Sequence, residues 1–345
     1  MIVSFNIPTY NRAGYLKKSL EKIVKQIEEL HLQDQVEINL SDNASTDNTK
    51  EVWDNCVSKH PSVKFSYKRN ERNMGPDENF ISAMHMATGQ YSLLWGDDDY
   101  LKDGGLSHIM DLIKYGERNN VSIILSSTSV IDANGKFLYE KCFLREDVDE
   151  MLVDFSDINQ IRGYFFLLKD MGGLLSFISA VIYKTSILGD IPYNKELMGT
   201  HYAFLNYWWG WLAKGKKLYY NRNSFIDETV QYQPAYGFGV DRFLVDYNGF
   251  LKVSKLFEPK VSREFLFAFQ NLHSYKKMRR LIIRQKCQFK ERVEPLIKIC
   301  GYGDLETSEL YHDTSKASII KEMLLVLTPS WFYSISVDIK KWFGQ

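Results

Sequence analysis

Four apolar runs of strand length, at residues 2–7, 36–40, 63–67 and 91–95, alternate with stretches of helical periodicity. That alternation constrains the fold more than any other feature of the chain. In the first helical stretch, Leu16, Leu20, Ile23, Val24, Ile27 and Leu30 form one apolar stripe. Further helices are predicted from Thr49, capped by Thr46 or Asp47, and over residues 78–87. Strand, loop and helix repeated in this order close as a mostly parallel sheet with right-handed crossovers. Each strand runs into a polar loop: residues 8–12, 41–48, 70–77 and 96–99. Loops on the carboxyl edge of a parallel sheet converge on one crevice, where such folds bind ligands.

The fourth loop is chemically the most demanding. Tyr91-Ser92-Leu93-Leu94-Trp95 ends in Gly96 and then Asp97, Asp98 and Asp99. Three adjacent carboxylates repel and need a cation, a proton or full solvation to coexist. Mg²⁺ or Mn²⁺ is commonly held by one or two carboxylates, with water and phosphate oxygens completing the shell. A solvated acidic turn has the same pattern, so the triplet by itself leaves both readings open.

Composition excludes several classes. Lys+Arg and Asp+Glu both total 43, so there is none of the basic excess of a nucleic-acid binder. Four cysteines without metal spacing read as reduced thiols. No Gly-x-Gly-x-x-Gly follows the first strand and no Walker sequence occurs, which disfavours NAD and P-loop chemistry. Residues 1–7 lack an export-signal pattern. No uncharged run reaches the roughly 18 apolar residues of a spanning helix, and the expectation is a cytoplasmic protein.

Pro8-Thr9-Tyr10-Asn11-Arg12, Ser41-Asp42-Asn43-Ala44-Ser45-Thr46-Asp47, Asn73-Met74-Gly75 with Asn79, and Gly96-Asp97-Asp98-Asp99 stand in the order of the motifs of family 2 glycosyltransferases. Over about the first 100 residues, and more loosely to about residue 230, the chain resembles that family. Its nearest resemblance is to abequosyltransferase-like members of O-antigen and surface-polysaccharide pathways. The resemblance implies a GT-A fold, a Rossmann-like mixed and mostly parallel sheet, with a helical C-terminal subdomain. It implies a metal-dependent, inverting transfer from a nucleotide-diphosphate sugar (UDP-, CDP- or dTDP-linked) to a hydroxyl of a lipid-linked glycan. Pro8, Thr9, Tyr10, Arg12, Asp42 and Asn43 would line the base and ribose pocket, with Asp42 suited to accept a uracil imide N–H. Arg72, Asn73, Gly75 and Asn79 would lie near the diphosphate. Asp98 matches the second acid of the family's Asp-x-Asp motif and would be the metal ligand. Gly96 stands where the first acid belongs, so metal contact would shift to Asp97 or Asp99.

Residues 101–230 would form the acceptor half. A helix is predicted over 106–115, a strand over 121–126 and a hairpin near 130–136. The acidic stretch 140–160 reads as an insertion, either an acceptor-side flap or a solvated loop. Gly172-Gly173 would open a strand and let substrate approach the backbone, and the resemblance sets Gly173 and Ser176 at the sugar end of the pocket. Thr200-His201 occupies the place of the family's Gly-Glu-Asp segment, so His201 becomes the candidate base, with an ordinary pKa of about 6.5. Asp227 and Glu228 are the competing acids. Tyr202 and Trp208 are candidate acceptor contacts; Trp208, Trp209 and Trp211 equally suit a core.

Beyond about residue 230 the alternation stops. Residues 233–239 read as an aromatic loop, 242–256 and 262–269 as helices, 276–286 as a basic amphipathic helix, and 319–343 as a Trp- and Phe-rich terminus with Lys340-Lys341. Residues 231–345 form either a subdomain packed on the 1–230 catalytic domain or a surface for the inner membrane's cytoplasmic face. Self-association is a further use of the same helix. The rival functions are a sugar nucleotidyltransferase and a non-catalytic glycan- or membrane-binding protein that keeps the fold.

Overall fold

The computed structural model describes residues 1–132, 134–229 and 240–272. The loop expected at 233–239, the basic stretch 276–286 and the terminus 319–343 lie outside the described residues. The chain divides into two units, residues 1–232 with 249–268, and residues 233–248 with 269–345.

Along the chain the elements are β1 (Val3–Thr9), α1 (Ala13–Glu29), β2 (Val36–Asp42), α2 (Thr49–Lys59), β3 (Lys64–Arg69), α3 (Pro76–Met84), β4 (Tyr91–Leu94), β5 (Tyr100–Leu101) and α4 (Gly105–Asn119). There follow β6 (Ile123–Ser126), β7 (Thr128–Ile131), β8 (Phe137–Lys141), β9 (Glu150–Asp154), α5 (Ile158–Phe166), β10 (Val181–Lys184), α6 (Ile187–Asp190), α7 (Leu205–Leu212), β11 (Lys217–Asn221) and β12 (Ile226–Thr229). The last two are α8 (Val240–Ser254) and α9 (Pro259–Leu272).

Eight strands form the main sheet in the order β3-β2-β1-β4-β10-β6-β11-β9. β10 and β9 run antiparallel to their neighbours, and the rest are parallel. This is the GT-A arrangement expected from the sequence. The order reverses at β1, whose neighbours β2 and β4 lie on opposite sides, so the crevice beyond the carboxyl ends of β1 and β4 is the switch point of the sheet. A second sheet, β5-β12-β7-β8, carries the strands that follow the aspartate turn.

One face of the β1–β2–β4 sheet is polar and still buried. Ser4 Oγ and the Thr88 N–H donate to Glu37, and Lys64 Nζ lies 2.6 Å from its other oxygen. Burial pushes the Glu37 carboxyl up, but Lys64, Ser4 and Thr88 outweigh it and hold it down at about 2. A depressed carboxylate stabilises the fold fully above its unfolded value, near 4.5, and that stability is lost as pH falls towards 2. Wild-type melting temperature is therefore expected to drop over that window more than that of Glu37→Gln. The difference corresponds to roughly 3 kcal/mol, and parallel thermal melts would reject the idea by showing equal slopes.

Two expectations are corrected. The acidic stretch 140–160 is ordered: β9 pairs antiparallel with β11, burying Val153, and Asp157 caps α5 through the Asn159 N–H. Met151-Leu152-Val153 is a short apolar run, a strand signal that the flanking acids mask. Gly172-Gly173 opens no strand; residues Met171–Leu174 form a 3-10 turn. A Cβ on Gly172 would stand 2.2 Å from the Phe143 ring, and one on Gly173 2.4 Å from Leu168. These glycines admit neighbouring side chains, not substrate.

Candidate active site

The β1 and β4 loops meet directly. Thr9 Oγ1 donates to Asp97 Oδ2 at 2.7 Å, Arg12 Nε stands 3.3 Å from Asp97 Oδ1, and Arg12 Nη2 donates to Asp98 Oδ2 at 2.5 Å. Asp99 turns the other way, where Ser179 Oγ donates to its Oδ2 at 2.5 Å and itself accepts from the Gly96 N–H at 2.8 Å. The turn is anchored from behind. Trp95 Nε1 and Ser19 Oγ both donate to the Asp99 carbonyl, and Thr229 Oγ1 donates to that of Asp98.

The three carboxylates thus diverge. Asp97 and Asp99 are buried, whereas the Asp98 side chain keeps 14% of its surface open. Burial pushes the Asp97 carboxyl up to about 7 against the pull of Arg12, with Asp98 adding to the rise. Asp99 is pushed well above the usual range by burial and then by Asp98. Among the described residues no group of three His, Cys, Asp or Glu side chains converges as a metal cage. The donor set suits a hard cation held by one carboxylate, Asp98, with the rest of the shell left to diphosphate and water.

Gly96 has a local cause. A Cβ there would lie 2.7 Å from Asp99 Oδ2 and 3.2 Å from Asp98 Oδ1. An acid at 96 would have to displace the Asp99 carboxylate from Ser179.

The β2 and β3 loops build the next wall. Asp42 is 1% exposed, and its oxygens accept from the Ser45 N–H and Tyr67 OH, with Arg69 Nε at 3.5 Å. Each oxygen thus already accepts one bond within the β2 and β3 loops, and the carboxylate is buried beneath them. Asn43 is likewise committed: Oδ1 accepts from Asn70 and the Met74 N–H, while Nδ2 donates to Asn73 Oδ1 and the Gly75 carbonyl. Asn79 Nδ2 donates to the Thr9 and Ser41 carbonyls. Asn43 and Asn79 therefore tie the three loops together. Tyr10, Arg72 and Asn73 remain exposed at the rim, and Pro8 is buried at the end of β1.

Asn48, not Thr46 or Asp47, stands at the N-cap of α2 and makes no side-chain cap bond; Asp47, one residue earlier, accepts from the Thr49 N–H through Oδ1 and from the Ala13 N–H through Oδ2. Asn11 at φ +54° accepts from the Thr46 N–H and joins the same two loops.

His201 lies where the chain turns before α7, at φ +65°. Its N–H donates to Asp77 Oδ2 at 3.0 Å. The acceptor candidates fare differently. Trp208 has no exposed surface and packs on Tyr183 and Phe204, so it belongs to the core. Tyr202 is buried against Phe204 and Phe250. Ser176 is partly exposed. Asp227 and Glu228 point to different surroundings. Burial raises Asp227, against the pull of Lys102 and Lys22. Glu228 accepts from Thr128 and pairs with Lys141, and its charge is felt at Asp99. Glu228 is thus the acid beside the aspartate turn.

Ser19, Tyr67, Asp77 and Ser179 escape sequence reasoning, because each contacts a segment far along the chain. A cavity of about 470 Å³ lined by Thr88, Tyr91, Glu117, Lys184 and Ser186 opens at the amino edge of β4, away from this crevice.

Residues 4–165 match the model of glycosyl transferase family 2. The chain is 33% identical over 210 residues to abequosyltransferase RfbV of Salmonella typhimurium, covering 59% of this chain and 58% of that protein, under two thirds of its length. It is 26% identical over 260 residues to the GalNAc(5)-diNAcBac-PP-undecaprenol beta-1,3-glucosyltransferase of Campylobacter jejuni, covering 75% of each. Among solved structures, S. aureus TarS 1–349 in complex with UDP-GlcNAc aligns with a TM-score of 0.59 at 17% identity, over 100% of this chain and 93% of that one. The mannosyltransferase PcManGT of Pyrobaculum calidifontis aligns with a TM-score of 0.55 at 15% identity, over 99% and 87%. These two likenesses establish the fold.

Proposed function

We propose that this chain, whose residues 4–165 match glycosyl transferase family 2, moves a sugar from a nucleoside-diphosphate donor to a hydroxyl of a glycan acceptor in bacterial surface-polysaccharide assembly. The observation that carries the reading is the Thr9–Asp97–Arg12–Asp98 network at the switch point between β1 and β4. It sets one accessible carboxylate and one guanidinium where a diphosphate would lie.

Asp98 would hold Mg²⁺ or Mn²⁺, which when bound supplies Lewis-acid neutralisation of the diphosphate leaving group. Arg12, now paired with Asp97 and Asp98, would be the cation available to a phosphate oxygen. Asp97 and Asp99 keep the turn in place through Thr9 and Ser179. His201 accepts the acceptor hydroxyl's proton as that oxygen bonds to the anomeric carbon and the bond to the diphosphate breaks, a single displacement that inverts the centre. The undecaprenyl diphosphate in the name of the Campylobacter relative supports a lipid-linked acceptor and peripheral contact with the inner membrane. Among the described residues no helix is long and apolar enough to cross a membrane.

The test is calorimetric titration of the full chain with UDP, CDP, GDP and dTDP, each with and without Mn²⁺ or Mg²⁺. Micromolar, metal-dependent binding of one diphosphate is expected, and it names the donor's base. Absence of binding to all four by the folded protein would sink the reading.

A further inference from the structure

We infer that Asp77 is a positioning residue that holds His201 in its working conformation and couples it to the donor loop; the inference rests on the reading of His201 as the base. Asp77 lies in the first turn of α3, two residues after Gly75, and is 4% exposed. Its Oδ2 accepts from the His201 N–H at 3.0 Å and its Oδ1 from the Ala203 N–H at 3.1 Å. The two segments are 124 and 126 residues apart along the chain.

His201 adopts φ +65°, in the left-handed region that non-glycine residues enter at a cost of about 1–2 kcal/mol and where asparagine, aspartate and histidine are enriched. Such strain persists where the surroundings over-determine it, and it gathers at functional sites. The surroundings here do so. Gly199 at φ +77° begins the turn, Thr200 Oγ1 donates to the Leu197 carbonyl and accepts from the Tyr202 N–H, and the Asp77 carboxylate takes the N–H groups on either side of Tyr202. Hydrogen bonds to an ionised acceptor are about twice as strong as neutral ones, enough to offset the local strain. A buried carboxylate committed to two main-chain donors serves neither a salt bridge nor a helix cap. What it does is fix the placement of residues 201–203 against α3. The same helix begins in the loop that Asn43 and Asn73 order, so the donor side and the base side share one rigid element.

The experiment uses Asp77→Asn, which keeps size and one acceptor, with Asp77→Ser as a second variant, His201→Gln and the Asp77→Asn/His201→Gln double variant. Donor turnover is measured with the sugar nucleotide whose diphosphate binds in the titration above. His201 is followed by its imidazole Cε1–H resonance, assigned by its loss in His201→Gln. Asp77→Asn is expected to lower kcat at least 10-fold with the donor KM within about 2-fold, and to shift or broaden the His201 resonance. The double variant is expected to be no slower than His201→Gln. Losses that multiply, or an unchanged resonance in either Asp77 variant, would overturn the positioning role. If His201→Gln keeps full turnover, the base reading fails on its own, while the resonance still judges whether Asp77 positions His201.

Discussion

Asp98→Ala is expected to reduce sugar transfer by about 100- to 1,000-fold, the usual cost of losing one group that stabilises leaving-group charge. The fold should survive. Among the described residues the Asp98 side chain bonds Arg12, and the tie from Thr229 is to its main-chain carbonyl. Loss of the carboxylate leaves Arg12 paired with Asp97 and removes the one member of the aspartate triplet with an open face. Nucleoside diphosphate binding should lose its dependence on Mn²⁺ or Mg²⁺ and become weak in both conditions. Unaltered metal-dependent affinity in the variant, with a wild-type melting temperature, would move the cation away from Asp98.

Gly96→Asp carries the second large effect. It restores the acid that the family motif has at this position, and sequence reasoning alone would expect a gain of metal affinity. The geometry says otherwise. The new Cβ would stand 2.7 Å from Asp99 Oδ2, and a further carboxylate would enter a turn where Asp97 and Asp99 are already raised by burial. Overpacking together with an uncompensated buried charge is expected to cost about 3 kcal/mol or more. Loss of the Ser179–Asp99 contact should follow and lower nucleotide binding. Chemical denaturation and the titration on the same variant check both points, and equal stability with tighter metal-dependent binding would refute the packing argument. Gly96→Ala, with the Cβ but no added charge, should lie between the two.

Much of the framework was legible because its signals are local. Strand-length apolar runs, the 3.6-residue stripe of α1 and polar loops after each strand require only neighbours along the chain, and β1 to β4 fell within a few residues of their expected bounds. β9 was not legible, since its strand character rests on pairing with β11, more than 60 residues away. The glycine pair at 172–173 was misread because the crowding of Phe143 and Leu168 exists only after folding.

The amino-acid sequence by itself determined the parallel α/β core, the edge of the sheet at which polar residues gather, and the family motifs that mark it. Tertiary structure alone decided which of those residues face the crevice. Asp97, Asp98 and Asp99 are equal in a string of letters. Burial against Thr9 and Ser179 commits two of them, and leaves Asp98 open. Trp208 suits ligand contact by type, yet it is fully buried against Phe204, and the Asp42 carboxylate is held from below by Tyr67. Asp77 carries no motif signal, yet it meets His201 across more than a hundred residues. The physical reason is the same throughout: a side chain's type sets what it can bind, and the packing of distant segments sets which of its atoms are left free to do so.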